Sequence, residues 1–330
     1  MNVKIMKMIV EPFENGEHTI AHDLLKHWKR DNDILTQGRA SANFIFGFYR
    51  NNKMEILRVT PGKERTRNQI LSEIDFINHL SKNKIPVATP IISQSKNFVE
   101  TVNFGNIEFH AVAFHLMPGK QIDFEDMNSH QLFHFGEMVA KFHETSLKFI
   151  PIKERIRRDW KEDINNAISW LRGENPLIEK NLLKMKNWID SLEFNQKNNG
   201  LIHYDFCSDN ILWVDDSFSI IDLDDSAYYP FTAEFAFGID EYREYSPNKQ
   251  DKILENFIEG YRSIRNISEN WKYEFNQFMN LMDLLKYARL TRSYQDTNPD
   301  EDLPWMKEMR KRHMTRLEND YTRIKENFIQ

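Results

Sequence analysis

The stretch His203-Tyr204-Asp205-Phe206-Cys207-Ser208-Asp209-Asn210-Ile211-Leu212-Trp213-Val214-Asp215-Asp216-Ser217-Phe218-Ser219-Ile220-Ile221-Asp222 decides the fold. It sets a carboxylate, Asp205, before an amide, Asn210, and reaches a second carboxylate, Asp222, after two short apolar runs. The runs Ile211 to Val214 and Phe218 to Ile221 are strand-like, and the acidic Asp215-Asp216-Ser217 between them predicts a β-hairpin. Because a hairpin returns to where it began, Asp222 should come back beside Asn210. Moving a γ-phosphoryl group to a hydroxyl needs little covalent help from a protein. The hydroxyl must be held in line and the phosphate charge neutralised by Mg²⁺. In an H-x-D-x-x-x-x-N loop, the Asp can orient the hydroxyl and take its proton, and the Asn offers a side-chain carbonyl to the metal. The stretch therefore predicts Asp205 as catalytic residue and Asn210 and Asp222 as metal ligands, with Mg²⁺ and ATP as cofactors.

These residues resemble the aminoglycoside phosphotransferase and choline kinase family, and the resemblance runs from about residue 35 to the end. It implies an α+β, protein-kinase-like fold of two lobes: a small antiparallel-sheet lobe with one helix, and a larger, mostly α-helical lobe. Tyr204 stands where the family often has Gly. The Phe-Gly pair that follows the metal aspartate in protein kinases is absent after Asp222, which favours this branch over ordinary protein kinases. The resemblance implies that His203 organises backbone. It also implies that Glu234, where the family often has an Asp at a helix start, holds the catalytic loop with a side chain one methylene longer. Asp224 and Asp225 read as a charged turn, with a role in metal or substrate binding left open for Asp224. Cys207 reads as a small filler residue.

On the nucleotide side, a kinase small lobe brings a cation to the phosphates from a strand and fixes it with a helix glutamate. Ile56-Leu57-Arg58-Val59 puts Arg58 in the strand position, and Glu73, early in the next helical pattern, is its expected partner. Arg keeps the charge of the usual Lys while changing its geometry. Gln37 to Asn43 reads as the phosphate-covering turn, with Gly38 and Ser41 as the candidate contacts. It has one glycine where protein kinases use three. Gly119-Lys120 is not a phosphate-binding loop of the Walker type, since no glycine stands five residues before Gly119 and Gln121 fills the Ser/Thr place.

The remaining pattern fits this order. Ile20, Leu24, Leu25 and Trp28 mark a helix over His18 to Arg30; strands over 43–49 and 54–60 form one hairpin; Ile70, Ile74, Ile77 and Leu80 mark a helix over 66–81. Strands over 97–104 and 107–117 meet at Gly105-Asn106. Helical patterns follow around 132–142, 161–194, 248–264 and 269–294. The expected divisions are an N-terminal helical extension over 1–34, a nucleotide-binding small lobe over 35–117, and a catalytic and acceptor-binding helical lobe over 118–330.

The chain of 330 residues is 40% hydrophobic and 13% aromatic, enough for a sizeable core. A formal charge of −6 argues against nucleic acid as a partner and leaves room for a cationic acceptor. The first twenty residues lack a signal-peptide pattern and no run reaches membrane-spanning length, so a cytoplasmic protein without membrane association is expected. With one cysteine there is no internal disulfide. The preferred function is a kinase acting on a hydroxyl of a small molecule: an amino sugar, amino alcohol or amino acid. Tyr287, Arg289 and Arg292 are candidates for the acceptor wall, although their helical spacing reads more readily as a solvated face. One alternative is a Ser/Thr protein kinase, because Asp209 to Trp213, Ile221 to Asp225, Arg67 to Glu73 and Arg292 to Trp305 are similar to bacterial stress-response kinases. The other is an ATP-binding pseudokinase.

Overall fold

Short apolar runs punctuated by turn residues build the first half of the chain, and amphipathic repeats build the second. The computed structural model describes residues 3–40, 43–195 and 197–328. They form two compact units, one made of 1–82, 86–118 and 150–156, the other of 83–85, 119–149 and 157–330.

The first unit begins with α1 (Val3–Glu14) and α2 (Ile20–Leu25), followed by β1 (Thr36–Ala40), β2 (Phe44–Arg50), β3 (Lys53–Pro61), α3 (Arg67–Lys82), β4 (Pro90–Ile91), β5 (Glu100–Phe104) and β6 (Ile107–His115). The strands make one antiparallel sheet in the order β1-β2-β3-β6-β4, with β5 also paired to β6. Asn51 and Asn52 join β2 to β3 with φ of 54° and 58°, a two-residue turn whose twist matches the flanking strands. α3 starts on a reciprocal cap: Gln69 N–H donates to Thr66 Oγ1 at 3.3 Å, and Thr66 N–H donates to Gln69 Oε1 at 2.8 Å. The 150–156 segment is tied to α3 by Arg155, which pairs with Asp75 at 3.0 Å.

Two sequence expectations change here. The helix expected over 18–30 is only α2, because the chain turns out of helix after Lys26. Trp28 stays fully buried and donates its indole N–H to the Ile91 carbonyl at 2.9 Å. α1 was not expected at all; its buried stripe of Val3, Ile5, Met6, Ile9 and Val10 is interrupted in sequence by lysines and by Pro12. Residues 3–34 also fold as part of the sheet unit, Phe13 meeting Phe46 at 5.2 Å between ring centroids.

The second unit contains α4 (Ser129–Ser146), α5 (Trp160–Leu171), α6 (Pro176–Asp190), β7 (Asn199–Ile202), β8 (Ile211–Val214), β9 (Ser217–Ile220), β10 (Ala227–Pro230), α7 (Phe231–Gly238), α8 (Pro247–Arg262), α9 (Trp271–Ser293) and α10 (Pro304–Phe328). The single helical pattern read over 161–194 is two helices. It breaks where Arg172 and Gly173 both adopt positive φ and Asn175 caps the next helix ahead of Pro176. α10 had no counterpart in the sequence reading. α4 and α8 approach so closely at Gly136 and Gly260 that a Cβ on either would overlap the carbonyl of Phe257 or Phe133. β7 pairs with β10, and β8 pairs with β9, each antiparallel. Among the described residues, no helix is long and apolar enough to cross a membrane.

Candidate active site

The His203–Asp222 stretch is held from both ends. β8 and β9 close the expected hairpin, with Ile211 opposite Ile220 and Asp215 taking the turn at φ 50°. The ladder continues one step further, Ile221 N–H donating to the Asn210 carbonyl at 3.0 Å, which puts Asp222 at the base of the hairpin next to Asn210. His203 lies at the end of β7 and is fully buried. Its Nε2 contacts the Ile221 carbonyl at 2.9 Å, so the imidazole joins the start of the loop to the residue before Asp222. Burial lowers its pKa to about 4. The ring is therefore neutral near pH 7, with its proton on Nε2 where it donates to that carbonyl, a structural bond rather than an acid–base role.

Asp205 and Asn210 meet directly. Asn210 Nδ2 donates to the Asp205 backbone carbonyl at 2.7 Å and to Asp205 Oδ2 at 3.0 Å, with a longer contact of 3.6 Å to Cys207 Sγ. This fixes the amide so that its nitrogen faces Asp205 and its carbonyl oxygen is the end available as a donor to a cation. Desolvation by the protein packed around it raises the Asp205 pKa, although the residue is exposed to solvent. Asp225 and then Asp224 add to this rise, while Lys286 and the Asn210 bond oppose it. Asp222 adopts φ 62° and ψ 60°, a left-handed conformation uncommon outside glycine but tolerated by Asp.

Glu234, in the first turn of α7, accepts from the backbone N–H of His203 at 2.5 Å and of Tyr204 at 2.9 Å. The extra methylene does not stop it reaching the backbone at His203 and Tyr204. Burial pushes its pKa up to about 8 against the opposing effect of those two bonds.

Tyr204, one residue before Asp205, adopts φ 79°, a conformation that glycine takes freely and that strains other residues by roughly 1–3 kcal/mol. The surroundings hold it there. The guanidiniums of Arg158 and Arg289 each lie 4.9 Å from its ring centroid, Arg289 donates to its hydroxyl at 3.1 Å, and Tyr229 and Phe237 pack on it at 5.6 and 4.9 Å. Burial raises the hydroxyl pKa, so Tyr204 is neutral.

Three charged residues around Asp205 were not read as functional from sequence. Asp225, read as a charged turn, pairs with Arg158 at 3.2 Å and Arg289 at 3.5 Å and lines a pocket with Tyr204, Asp205 and Lys286. Arg157 holds the backbone after Asp222: Nε donates to the Ser226 carbonyl at 2.8 Å, and Nη2 to the carbonyls of Asp224 and Leu223. Arg158 also pairs with Asp163 at 2.5 Å. Their signal in the sequence was slight: two arginines just before the α5 cap Asp159, where the helix dipole disfavours positive charge. Of the three candidates for the acceptor wall, Arg289 alone lines this pocket. Tyr287 accepts from Asn175 at 3.0 Å, and Arg292 lies over the Trp170 ring at 5.0 Å.

In the sheet unit, Arg58 on β3 and Glu73 on α3 make a two-bond ion pair of 2.8 and 2.6 Å, both side chains buried, with Arg58 over the Phe114 ring at 5.1 Å. Gly38 is not in a turn as expected. It lies in β1, where the register with β2 shifts between Gln37 and Ala40 and a Cβ would sit 3.2 Å from the Ile45 carbonyl oxygen. Ser41 lies outside the described residues. Among those residues no cluster of three His, Cys, Asp or Glu side chains could hold a metal by itself.

Residues 37–272, well over half of the chain, match the model of a phosphotransferase enzyme family. Amicoumacin kinase of Bacillus subtilis (strain 168) is 22% identical over 260 residues, which cover 76% of this chain and 77% of that protein. Among solved structures, an amicoumacin kinase in complex with AMP-PNP, Ca²⁺ and its ligand superposes with a TM-score of 0.81 at 17% identity, covering 99% of this chain and 97% of that one. A microcompartment-associated aminopropanol kinase superposes at 0.67 with 20% identity, covering 84% and 90%. These likenesses show a protein-kinase-like fold, with a sheet lobe followed by a helical lobe. The chain is a kinase and belongs to the phosphotransferase enzyme family.

Proposed function

We propose that this kinase transfers the γ-phosphoryl group of Mg·ATP to a hydroxyl of a small molecule, with Asp205 as the catalytic residue. The observation that carries this reading is the Asp205–Asn210 contact at the base of the β8–β9 hairpin. It ties the carboxylate that faces the acceptor to the amide that faces the metal. In this reading the acceptor hydroxyl hydrogen-bonds to the Asp205 carboxylate, which holds it in line and accepts its proton as the new bond forms. A raised pKa brings that carboxylate nearer to the basicity a proton acceptor needs.

Asn210 and Asp222 fit Mg²⁺ chemically. Both present hard oxygen donors, and Mg²⁺ is commonly held by one or two protein oxygens together with phosphates and water. The bound ion supplies positive charge against the phosphate oxygens. Glu234 and His203 hold the backbone of the loop, Arg157 holds the turn after Asp222, and the Arg58–Glu73 pair is the proposed contact to the α- and β-phosphates, with Gly38 and Ser41 of the β1–β2 region as further contacts. The AMP-PNP and Ca²⁺ bound in the similar amicoumacin kinase support a nucleotide and a divalent ion here, and the aminopropanol named for another similar kinase supports a small, amine-bearing alcohol.

The test is ATP consumption with Mg²⁺ against a panel of aminoglycosides, choline, homoserine, other small amino alcohols and a generic protein acceptor, with Asp205→Ala as control. Turnover with one small alcohol by the wild type alone is the expected result. Phosphate on the protein acceptor would sink the small-molecule reading, and nucleotide binding indifferent to Mg²⁺ without turnover would make the chain a pseudokinase.

A further inference from the structure

The pocket beside Asp205 is small and one of its walls is an unusual one. Its volume is about 110 Å³, whereas sites for drug-sized ligands run to about 300–1,000 Å³. Phe237, Met282 and Leu285 give it an apolar lining, and the Tyr204 ring occupies the side next to the catalytic residue.

That ring has little freedom to move aside. The backbone that carries it is fixed at φ 79°, two guanidiniums lie against it, and its hydroxyl is bonded to Arg289. A glycine would relax the backbone and open the volume the ring fills. The chain instead keeps a strained tyrosine, stacked and hydrogen-bonded, immediately before Asp205. Strain maintained at the wall of a site is the pattern expected of a residue kept for function.

We propose that Tyr204 is a specificity-determining residue, limiting the reacting end of the acceptor to an acyclic alcohol chain and excluding hydroxyls carried on a substituted sugar or cyclitol ring. The inference rests on the phosphotransferase reading given above. A narrow chain end brings its hydroxyl to Asp205 with its carbons against Phe237, Met282 and Leu285. A ring hydroxyl brings neighbouring ring substituents into the space that Tyr204 fills.

The test compares kcat/KM for acyclic acceptors (1-amino-2-propanol, ethanolamine, homoserine) with that for ring acceptors (kanamycin, spectinomycin) in the wild type, Tyr204→Phe and Tyr204→Gly. We expect the wild type and Tyr204→Phe to favour the acyclic class by a hundredfold or more. Tyr204→Gly should narrow that ratio at least tenfold, chiefly through a lower KM for ring acceptors. Tyr204→Asn, which tolerates positive φ without the ring, serves if the glycine variant does not fold. Equal use of both classes by the wild type overturns the proposal, as does an unchanged ratio in a folded variant that still binds Mg·ATP. If the folded wild type binds nucleotide but transfers phosphate to neither class, nor to any other small acceptor of the panel, the small-molecule reading fails instead. Calorimetric binding of the two acceptor classes with AMP-PNP and Mg²⁺ then decides the pocket claim separately, tighter binding of ring acceptors counting against it.

Discussion

Arg58 and Tyr204 each sit at a proposed contact of the reaction, and each lies against a charged group, but they are secured in opposite ways. Arg58 is held by Glu73, fifteen positions along the chain, through two short parallel bonds, with its guanidinium over the Phe114 ring. Tyr204 is held by Arg158, Tyr229, Phe237 and Arg289, from four separate parts of the helical unit, and its backbone is strained. The first arrangement suits a group that meets the same phosphates in every turnover. The second suits a surface whose shape must be particular to one acceptor, because each of several segments can alter it without disturbing the others.

The largest test of this contrast falls on the residue next to Tyr204. Asp205→Ala should lower kcat by about a thousandfold or more while leaving ATP affinity nearly unchanged, as steady-state kinetics and nucleotide titration will show. Asp222→Ala should weaken Mg·ATP binding as well. A full-rate Asp205→Ala enzyme would remove that residue from the catalytic role. Next in size is the ion pair. Arg58→Met leaves the Glu73 carboxylate buried without its partner and should cost about 3–5 kcal/mol in urea unfolding. Replacing Arg58 and Glu73 together by Met should restore most of that loss, since the pair is weak as a net source of stability and strong only against being halved. If the double variant is no more stable than the single one, the pair stabilises the fold outright.

The same contrast explains what could be read in the chain beforehand. The β-hairpins, α3, the Arg58–Glu73 pairing and the Asn210-to-Asp222 hairpin were legible because each depends on residues within about twenty positions, where periodicity and turn chemistry fix the geometry. Glu234 and His203 were legible only through the family resemblance. Their bonds to backbone groups leave no composition signal. Arg157, Arg158 and Asp225 were missed because most of their partners lie far along the chain and their sequence neighbours look like ordinary loop. α1 was missed because Pro12 and two lysines obscure its stripe, and the short α2 was overextended because Trp28 continues its apolar spacing beyond the helix's end.

His203 gives a prediction in pH. Its folded pKa of about 4 lies below the ordinary 6.5, so the folded state holds fewer protons than the unfolded state between those values. The stability it contributes is fully present above pH 6.5 and is lost as pH falls through 4, amounting to roughly 3 kcal/mol. Glu234 acts in the other direction. Its folded pKa of about 8 lies above the ordinary 4.5, so its contribution is present below pH 4.5 and is lost as pH rises through 8. Urea unfolding from pH 4 to 9 should show both slopes. His203→Gln should flatten the acid side and Glu234→Gln the alkaline side, and an acid slope unchanged in His203→Gln would mean that other groups govern it.

The smallest expected effect separates two arginines three residues apart on α9. Arg289 pairs with Asp225, bonds the Tyr204 hydroxyl and lines the pocket, while Arg292 lies over the Trp170 ring, away from it. Arg292→Ala should leave the acceptor KM within about twofold, since its contact with the Trp170 ring lies outside the pocket lining. Arg289→Ala should raise the acceptor KM clearly more than the ATP KM, because it removes part of the pocket wall and loosens the Tyr204 ring together. Equal kinetic effects from the two substitutions would show that charge on this helix face acts at a distance. A change confined to Arg289→Ala would tie acceptor binding to the cluster around Tyr204, and so to the several-segment construction that distinguishes that cluster from the Arg58–Glu73 pair.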